Sequence, residues 1–127
     1  KSYLAWQKVP DRLQKFCDWL NAERKAVDKN DIHKLYELSF EAHYRIVSIH
    51  PWADGNGRMS RLIMNMIQYE AGVIPSIVKK ENRAEYIQSL AQSQEKDDSK
   101  DFIDFMMNHH VDNLQKQIDE YKASMEK

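Results

Sequence analysis

The densest group of side chains that could do chemistry in this chain lies in one stretch of twelve residues. The stretch combines an imidazole, a carboxylate, a carboxamide between two glycines, and two guanidinium groups, directly before an apolar helical pattern. It reads His50-Pro51-Trp52-Ala53-Asp54-Gly55-Asn56-Gly57-Arg58-Met59-Ser60-Arg61. Packing alone does not require so many polar groups in one place. A polyphosphate, a metal ion and a proton to be removed would explain all of them.

The second half of the stretch predicts an anion site. Glycines at positions 55 and 57 let the backbone approach a ligand closely. The N–H groups at the start of a helix bind anions, and the helix dipole assists them. Arg58 and Arg61 are three residues apart and therefore share one helical face, where they can contact successive phosphate groups. Asn56 adds a hydrogen-bonding group for a phosphate oxygen without adding charge.

The first half of the stretch supplies a metal ligand and a base. Asp54 is a hard oxygen ligand beside the predicted anion site, and Mg²⁺ commonly binds one or two carboxylates together with substrate phosphates and water. His50 is a histidine, the residue type most often used as a general base, and could accept the proton of a hydroxyl that attacks phosphorus. The stretch contains no Gly-Lys-Ser/Thr of a Walker loop and no His-Glu-x-x-His of a zinc helix. The residues by themselves do not decide which group is transferred.

Helical spacing dominates the rest of the chain, which predicts an all-α fold. The predicted helices cover about 10–27, from 30 or 31 to 49 or 50, 57–71, from 82 or 83 onward, and from 99 or 100 to 125. Pro51 disfavours a helical residue before it, so His50 is expected at a helix C-terminus. Gly72 is a natural terminator of the third helix. The polar stretch 94–100 reads as a loop. The reactive stretch thus connects two central helices.

The apolar positions indicate which helix faces pack. On the third helix the predicted inward positions are Leu62, Ile63, Met66, Ile67 and Ala71. Cys17 and His43 are interpreted as packed residues rather than as a nucleophile and a ligand. The last helix ends in a narrow apolar seam made of Val111, Leu114, Ile118, Tyr121 and Met125. This seam is either a solvated helix end or a surface for a missing domain or a second copy of the chain.

Composition limits the class of protein. The 127 residues predict a single domain with a core at about 10–110, and a C-terminal helix over 111–127 that could link to another domain. A net charge of −1 argues against a nucleic-acid surface. Cys17 is the only cysteine, so a reducing cytoplasm is the simplest compartment, and no apolar run is long enough to span a bilayer. The chain starts without Met and therefore looks like part of a longer protein.

The stretch from His50 to Arg61 resembles the signature of the Fic (filamentation induced by cAMP) family, His-Pro-Phe-x-Asp/Glu-Gly-Asn-Gly-Arg-x-x-Arg. Trp52 replaces the usual Phe, and every other fixed position matches. The lead-in 42–49, the apolar helix that follows and the downstream residues also resemble the family. The resemblance implies a helical bundle with the catalytic loop between two central helices. It also implies upstream helices and a β-hairpin flap, which would be missing or partial here.

The resemblance implies that the chain transfers AMP from ATP to a Ser, Thr or Tyr hydroxyl of a target protein, with self-modification as one case. His50 would deprotonate the hydroxyl, and Asp54 would hold Mg²⁺ on the α- and β-phosphates. Asn56 and the amides of residues 55–57 would hold phosphate oxygens.

By the same resemblance, Arg58 would neutralise the β-phosphate region and Arg61 would meet the γ-phosphate. Phosphotransferases of the Doc type have Lys where Gly57 stands, which favours the AMP-transferring branch. The inhibitory pattern Ser/Thr-x-x-x-Glu-Gly/Asn is not found, since Ser76 precedes Glu81 by one residue too many.

Two alternatives stay open. The chain could be a nucleotide-sensing or interaction domain with weak turnover, linked to a toxin–antitoxin system or to transcription and associating through its apolar seam. It could also keep the fold and change the chemistry, by removing AMP or by transferring another nucleotide.

Overall fold

The computed structural model describes residues 6–50 and 55–126. Its helices are α1 (Val9–Ala26), α2 (Ile32–Ile49), α3 (Asn56–Glu70), α4 (Arg83–Lys96) and α5 (Lys100–Met125), with short 3-10 turns at Trp6–Lys8 and Lys80–Asn82. Within these residues there is no β-strand, and the predicted all-α class is confirmed. The chain divides into two compact units, Lys1–Pro75 and Ser76–Lys127. In the described part no helix is both long and apolar enough to cross a membrane.

The first unit is built around α2, which packs against both α1 and α3. Nine of the 18 residues of α2 are buried, so the helix has apolar contacts on most of its circumference. Its last turns share a cluster with the neighbouring helices through Phe16, Ala42, Ile46 and Ile67. Burial of large side chains such as these stabilises the unit by about 1.5–3 kcal/mol for each residue. This cluster fixes the end of α2 next to the other two helices.

The start of α2 and the end of α3 lie where the sequence predicts. The Asp31 carboxylate accepts a hydrogen bond from the Lys34 amide at 3.1 Å and caps the start of α2. After the last turn of α3, Gly72 has a φ of 75°, and its N–H donates to the Tyr69 carbonyl at 3.0 Å. The N–H of Val73 reaches the Gln68 carbonyl at 3.1 Å, which completes a Schellman motif. These caps satisfy backbone groups that a helix end would otherwise leave unpaired.

The buried face of α3 differs from the predicted one. Leu62 and Met66 are 53% and 51% exposed, while Met64 and Gln68 are almost fully buried. Gln68 Nε2 donates to Ser39 Oγ at 2.9 Å, so a polar bridge joins α3 to α2. A buried amide with a hydrogen-bond partner is tolerated in a core. The prediction failed because apolar spacing alone ranks Leu above Gln for the inward face.

The predicted burial of Cys17 is wrong, because the residue is exposed. Helix α1 turns Phe16 inward, with Leu13, Trp19 and Leu20 partly buried against the same cluster. Trp19 lies on one side of this face, and its ring also carries the Arg45 guanidinium at 4.0 Å from the ring centre. Because Trp19 is packed, the buried face of α1 is on the Trp19 side of the helix, and Cys17 is exposed to solvent.

The second unit is a pair of helices, α4 and α5, joined by a short turn. Helix α4 continues to Lys96, so the loop predicted over 94–100 is too long. Asp97 takes a left-handed conformation with a φ of 53° and ends the helix. Ser93 Oγ accepts the Phe102 amide at 2.9 Å, which ties the start of α5 to α4. Asp tolerates this conformation better than most residues, which makes a glycine unnecessary here.

The core of the second unit lies in the first half of α5. Phe102 and Met106 are buried, and the Phe102 ring lies 6.0 Å from that of Tyr86 on α4. The predicted narrow seam begins after these residues. Its members Val111, Ile118, Tyr121 and Met125 are between 47% and 70% exposed. A single domain over the whole chain and a partner for the seam stay predictions.

His43 lies at the centre of the first unit with no exposed surface, as the packed interpretation requires. Burial lowers the pKa of His43 to about 3, and the nearby positive charge of Arg61 adds to the shift. An unfolded histidine has a pKa of about 6.5. Between these two values the unfolded chain binds more protons than the folded chain, so stability falls as the pH falls.

We expect the free energy of unfolding to be about 1.4 kcal/mol lower at pH 5.5 than at pH 7.5 on account of His43. Urea unfolding at the two pH values measures this difference. The variant His43→Gln should lose that part of the pH dependence, because its amide does not titrate. The control His33→Gln changes an exposed histidine of the same helix and should retain it. An equal pH dependence in all three chains would contradict a neutral, buried His43.

Candidate active site

His50 ends α2 in a left-handed conformation, with a φ of 53° and a ψ of 58°. Its N–H donates to the Ile46 carbonyl at 3.1 Å and closes the last turn. A residue with a Cβ pays about 1–2 kcal/mol for this conformation, which the packed end of α2 must offset. The chain therefore turns sharply at the candidate base. The prediction that His50 lies at a helix C-terminus is confirmed.

Asn56 is the first residue of α3 and is 5% exposed. Its Nδ2 lies 3.1 Å from Nδ1 of His50 and 3.3 Å from Nε2 of the same ring. The backbone carbonyl of Asn56 accepts a hydrogen bond from Ser60 Oγ at 2.7 Å. Two helix ends thus meet at the candidate site, with the base from α2 and the amide from α3.

The start of α3 is electrostatically unlike the other helix starts in the described residues. Its N-cap is Gly55, which has no side chain to accept a hydrogen bond, and its first turn contains no acidic residue. Each of the other four α-helices has an acidic residue in its first turn or a side-chain cap. The positive end of the α3 dipole is therefore not balanced by a residue of that turn or its N-cap. Such a helix start favours a negatively charged ligand.

Both arginines of the stretch fold back toward this helix start. A methyl carbon on Gly55 would lie 3.2 Å from Nη2 of Arg58, and one on Gly57 would lie 3.2 Å from Nη1 of Arg61. Helical side chains lean toward the N-terminus, which explains the direction. The glycines leave the space that the guanidinium groups use. Two cations at the positive end of a helix oppose the dipole, so an anion bound there would relieve a local repulsion.

The two arginines differ in exposure. Arg58 is exposed, whereas Arg61 is half-buried and lies close enough to His43 to affect its charge. Because His43 stays neutral, the interior does not repel the Arg61 guanidinium. Arg61 is therefore the more firmly placed of the two cations, and Arg58 is better able to follow a ligand.

Asp54 lies outside the described residues, and the proposed metal ligand therefore stays a prediction. Among the residues that are described, no group of three or more His, Cys, Asp or Glu side chains is arranged to hold a metal ion.

Two features of the site were not predicted. The hydroxyl of Ser60 holds the carbonyl of Asn56, and the carboxamide of Asn56 contacts His50. The spacing of Ser60, four residues after Asn56 on a helix, is a signal that could have indicated the first contact. The second contact depends on how the chain crosses residues 51–54, which spacing does not specify.

The fold is that of Fic domains. A Fic-1 fragment from Caenorhabditis elegans superposes with a TM-score of 0.78 at 31% identity, over 98% of this chain and 37% of that one. A Fic domain-containing signaling protein from Bacteroides thetaiotaomicron superposes with a TM-score of 0.76 at 24% identity, over 90% of this chain and 46% of the other. The second likeness concerns the fold alone.

The chain belongs to the Fic/DOC family, whose sequence model matches residues 1–68. It is 38% identical to a protein adenylyltransferase Fic from Drosophila mojavensis over 109 residues, which is 86% of this chain. It is 35% identical to protein adenylyltransferase fic-1 from C. elegans over 117 residues, or 91% of this chain. The chain spans about a fifth of the length of these two relatives, 20% and 22%.

Gly55 and Gly72 both have a positive φ, but only Gly55 lies at the candidate site. Substituting each by alanine therefore separates the effect of backbone strain from an effect on ligand binding. Gly55→Ala and Gly72→Ala both place a Cβ at a positive φ, and each should destabilise the chain by about 1–2 kcal/mol in urea unfolding. At Gly72 the new methyl group meets nothing within 4 Å, whereas at Gly55 it meets Arg58. Only Gly55→Ala should therefore weaken the binding of a polyphosphate anion at the start of α3, measured by calorimetry with ATP as the probe. Equal weakening in both variants would show that strain alone is responsible.

Proposed function

We propose that this chain is the catalytic core of a protein adenylyltransferase that moves AMP from ATP to a protein hydroxyl. The single observation that supports this most is the meeting of His50 with the start of α3, whose first turn has no acidic residue. From that arrangement we infer a base beside a site for phosphates. The relatives are named protein adenylyltransferases, which supplies AMP as the transferred group and a protein as the acceptor. We infer the same chemistry for this chain from its membership of their family.

The reaction needs a base, a place for the phosphates and a stabilised leaving group. In our proposal the acceptor oxygen forms a bond to the α-phosphorus while the bond from this phosphorus to the bridging oxygen of the β-phosphate breaks. Pyrophosphate leaves with the electron pair of that bond, and His50 takes the hydroxyl proton. A positioned general base of this kind contributes about 10²–10⁴ in rate. The remainder comes from electrostatic stabilisation of the phosphates.

The start of α3 would supply that stabilisation. In our proposal the amides of residues 55–57, at the start of α3, hold phosphate oxygens, and Arg58 and Arg61 add two full charges. Charge-assisted hydrogen bonds from guanidinium to phosphate are about twice as strong as neutral ones. As the resemblance implies, we assign the exposed Arg58 to the β-phosphate region and the half-buried Arg61 to the γ-phosphate, and both of these phosphates leave together as pyrophosphate.

Asp54 is our proposed protein ligand for Mg²⁺. One carboxylate is enough for an ion that is also held by phosphate oxygens and water, and the described residues offer no competing cluster. When bound, the ion neutralises charge that develops on the phosphates. ATP as substrate and a hydroxyl-bearing protein as acceptor follow from the same proposal. Self-modification, self-association of the chain and a cytoplasmic location are further predictions.

Replacing the base should abolish transfer and spare nucleotide binding. We expect His50→Ala to lower AMP transfer by about 10²–10⁴, with ATP affinity changed little, because the ring acts on the acceptor proton. The measurement is intact mass after incubation with ATP and Mg²⁺, which detects a gain of one AMP on the chain or on an added protein. The matched control His33→Ala, at an exposed position of the same helix, should keep the wild-type rate.

Each outcome of this experiment has a distinct meaning. Equal transfer by wild type and His50→Ala would remove His50 from the mechanism. ATP binding without transfer by any chain would instead favour the nucleotide-sensing alternative. A comparison of ATP with GTP, UTP and CTP would reveal a different transferred nucleotide.

The metal proposal has its own test. Asp54→Asn keeps the shape of the side chain and removes its charge, so half-maximal transfer should need roughly tenfold more Mg²⁺ or higher, equivalent to about 1.4 kcal/mol. A Mg²⁺ titration of the transfer rate measures this. Asp18→Asn, at an exposed position of α1, serves as the control. Identical titrations for Asp54→Asn and wild type would show that the ion is held elsewhere.

A further inference from the structure

Near its start, α3 contains a buried hydroxyl that bonds back to the backbone. Ser60 has no exposed surface, and its Oγ donates a hydrogen bond to the Asn56 carbonyl at 2.7 Å. In a regular helix the same carbonyl also accepts the backbone N–H of the residue four positions later, which is again Ser60. Two donors of one residue therefore fix the direction of this carbonyl more firmly than the helical hydrogen bond alone.

The direction of this carbonyl also sets the direction of an amide. The C=O of Asn56 and the N–H of Gly57 belong to one planar peptide unit and point in opposite directions. The Gly57 N–H therefore turns whenever the Asn56 carbonyl turns. The first N–H with an acceptor in the turn is that of Met59, which donates to the Gly55 carbonyl at 2.9 Å. The Gly57 N–H lies before it and has no acceptor within the helix.

The Gly57 amide lies where positive charge is concentrated. It belongs to the first turn of α3, which contains no acidic residue. A methyl carbon on Gly57 would lie 3.2 Å from Nη1 of Arg61, so a guanidinium lies beside this peptide unit. Hydrogen bonds in series polarise one another, so a carbonyl that accepts strong hydrogen bonds makes the N–H of the same peptide unit a better donor. Ser60 thus acts on both the orientation and the donor strength of an N–H beside Arg61.

We propose that Ser60 is a positioning residue for the phosphates, which acts through the peptide unit between Asn56 and Gly57. Its hydroxyl needs no contact with the ligand. It holds the Asn56 carbonyl, and this orients and polarises the Gly57 N–H for a phosphate oxygen. Without the hydroxyl the N–H stays in place but is less firmly oriented and is a weaker donor. This inference rests on the proposed function, in which the amides of residues 55–57 hold nucleotide phosphates.

A second serine makes the same kind of bond away from the site. Ser89 is buried on α4, and its Oγ donates to the Tyr86 carbonyl at 2.8 Å. Replacement of either serine by alanine removes one hydroxyl-to-carbonyl hydrogen bond inside a helix. Alanine has the highest helix propensity, which offsets part of that loss in both variants. Ser89→Ala is therefore a matched control for effects on stability, in a helix to which the proposal gives no role.

The first measurement is the ¹⁵N–¹H correlation signal of the Gly57 amide in labelled, nucleotide-free chain. We expect Ser60→Ala to move this signal upfield in ¹⁵N, because the amide loses polarisation through its peptide unit. Ser89→Ala should leave the signal where it is in wild type. Ser60→Thr keeps a hydroxyl that can bond to the same carbonyl and should restore the wild-type signal. An unchanged Gly57 signal in Ser60→Ala would overturn the proposal.

The second measurement is the affinity for α,β-methylene ATP with Mg²⁺, which cannot release AMP, by calorimetry. Ser60→Ala should bind it roughly three- to tenfold more weakly than wild type, since a hydrogen bond to a charged group is weakened and not removed. Ser89→Ala should bind like wild type, even where its thermal unfolding midpoint falls as far. The same nucleotide should move the Gly57 signal in wild type. Equal affinity in Ser60→Ala and wild type, or a Gly57 signal that ignores the nucleotide, contradicts the proposal.

The outcomes separate this proposal from the proposed function. If wild type transfers AMP and Ser60→Ala binds nucleotide equally well, the role of Ser60 fails alone. If the chain binds nucleotide and transfers nothing, the proposed function fails, while the affinity and the Gly57 signal still judge Ser60. A chain that binds no nucleotide contradicts both. Should Ser60→Ala not fold, Ser60→Cys replaces it, because a thiol is a weak donor.

Discussion

The contact between the end of α2 and the start of α3 is the constraint on which the candidate site depends. His50 is held at one helix end by a backbone hydrogen bond and a left-handed turn, and Asn56 begins the next helix with its side chain buried. The two helices are packed along their lengths, so neither end can move far alone. The packed helices then place a base within about 3 Å of a helix start. Preorganisation of this kind is where catalytic precision comes from.

Favourable contacts away from the site offset the local free-energy cost of this arrangement. A left-handed His50 and two arginines at the positive end of a helix are each locally unfavourable. The compensation comes from the cluster around Ile46, from the bridge between Gln68 and Ser39, and from the capped ends of both helices. A bound anion would then remove part of the cost, which favours binding of phosphates over neutral ligands.

Local signals in the sequence were enough to predict where the helices begin and end. Asp31 and Gly72 have a side chain or a backbone freedom that determines the cap by itself, and Pro51 stops the helix before it. Residue types and spacing likewise predict an anion site at the start of α3, and this site stays a prediction. Features that depend on packing were not predictable in this way. The inward turn of Gln68 and the outward turn of Cys17 follow from neighbours on other helices.

The difference between these two groups bears on the chemistry. A motif specifies which groups are present, and the contacts specify their state before the ligand arrives. The amide of Asn56 could serve a phosphate on the basis of type and spacing alone, yet the structure places it against the base.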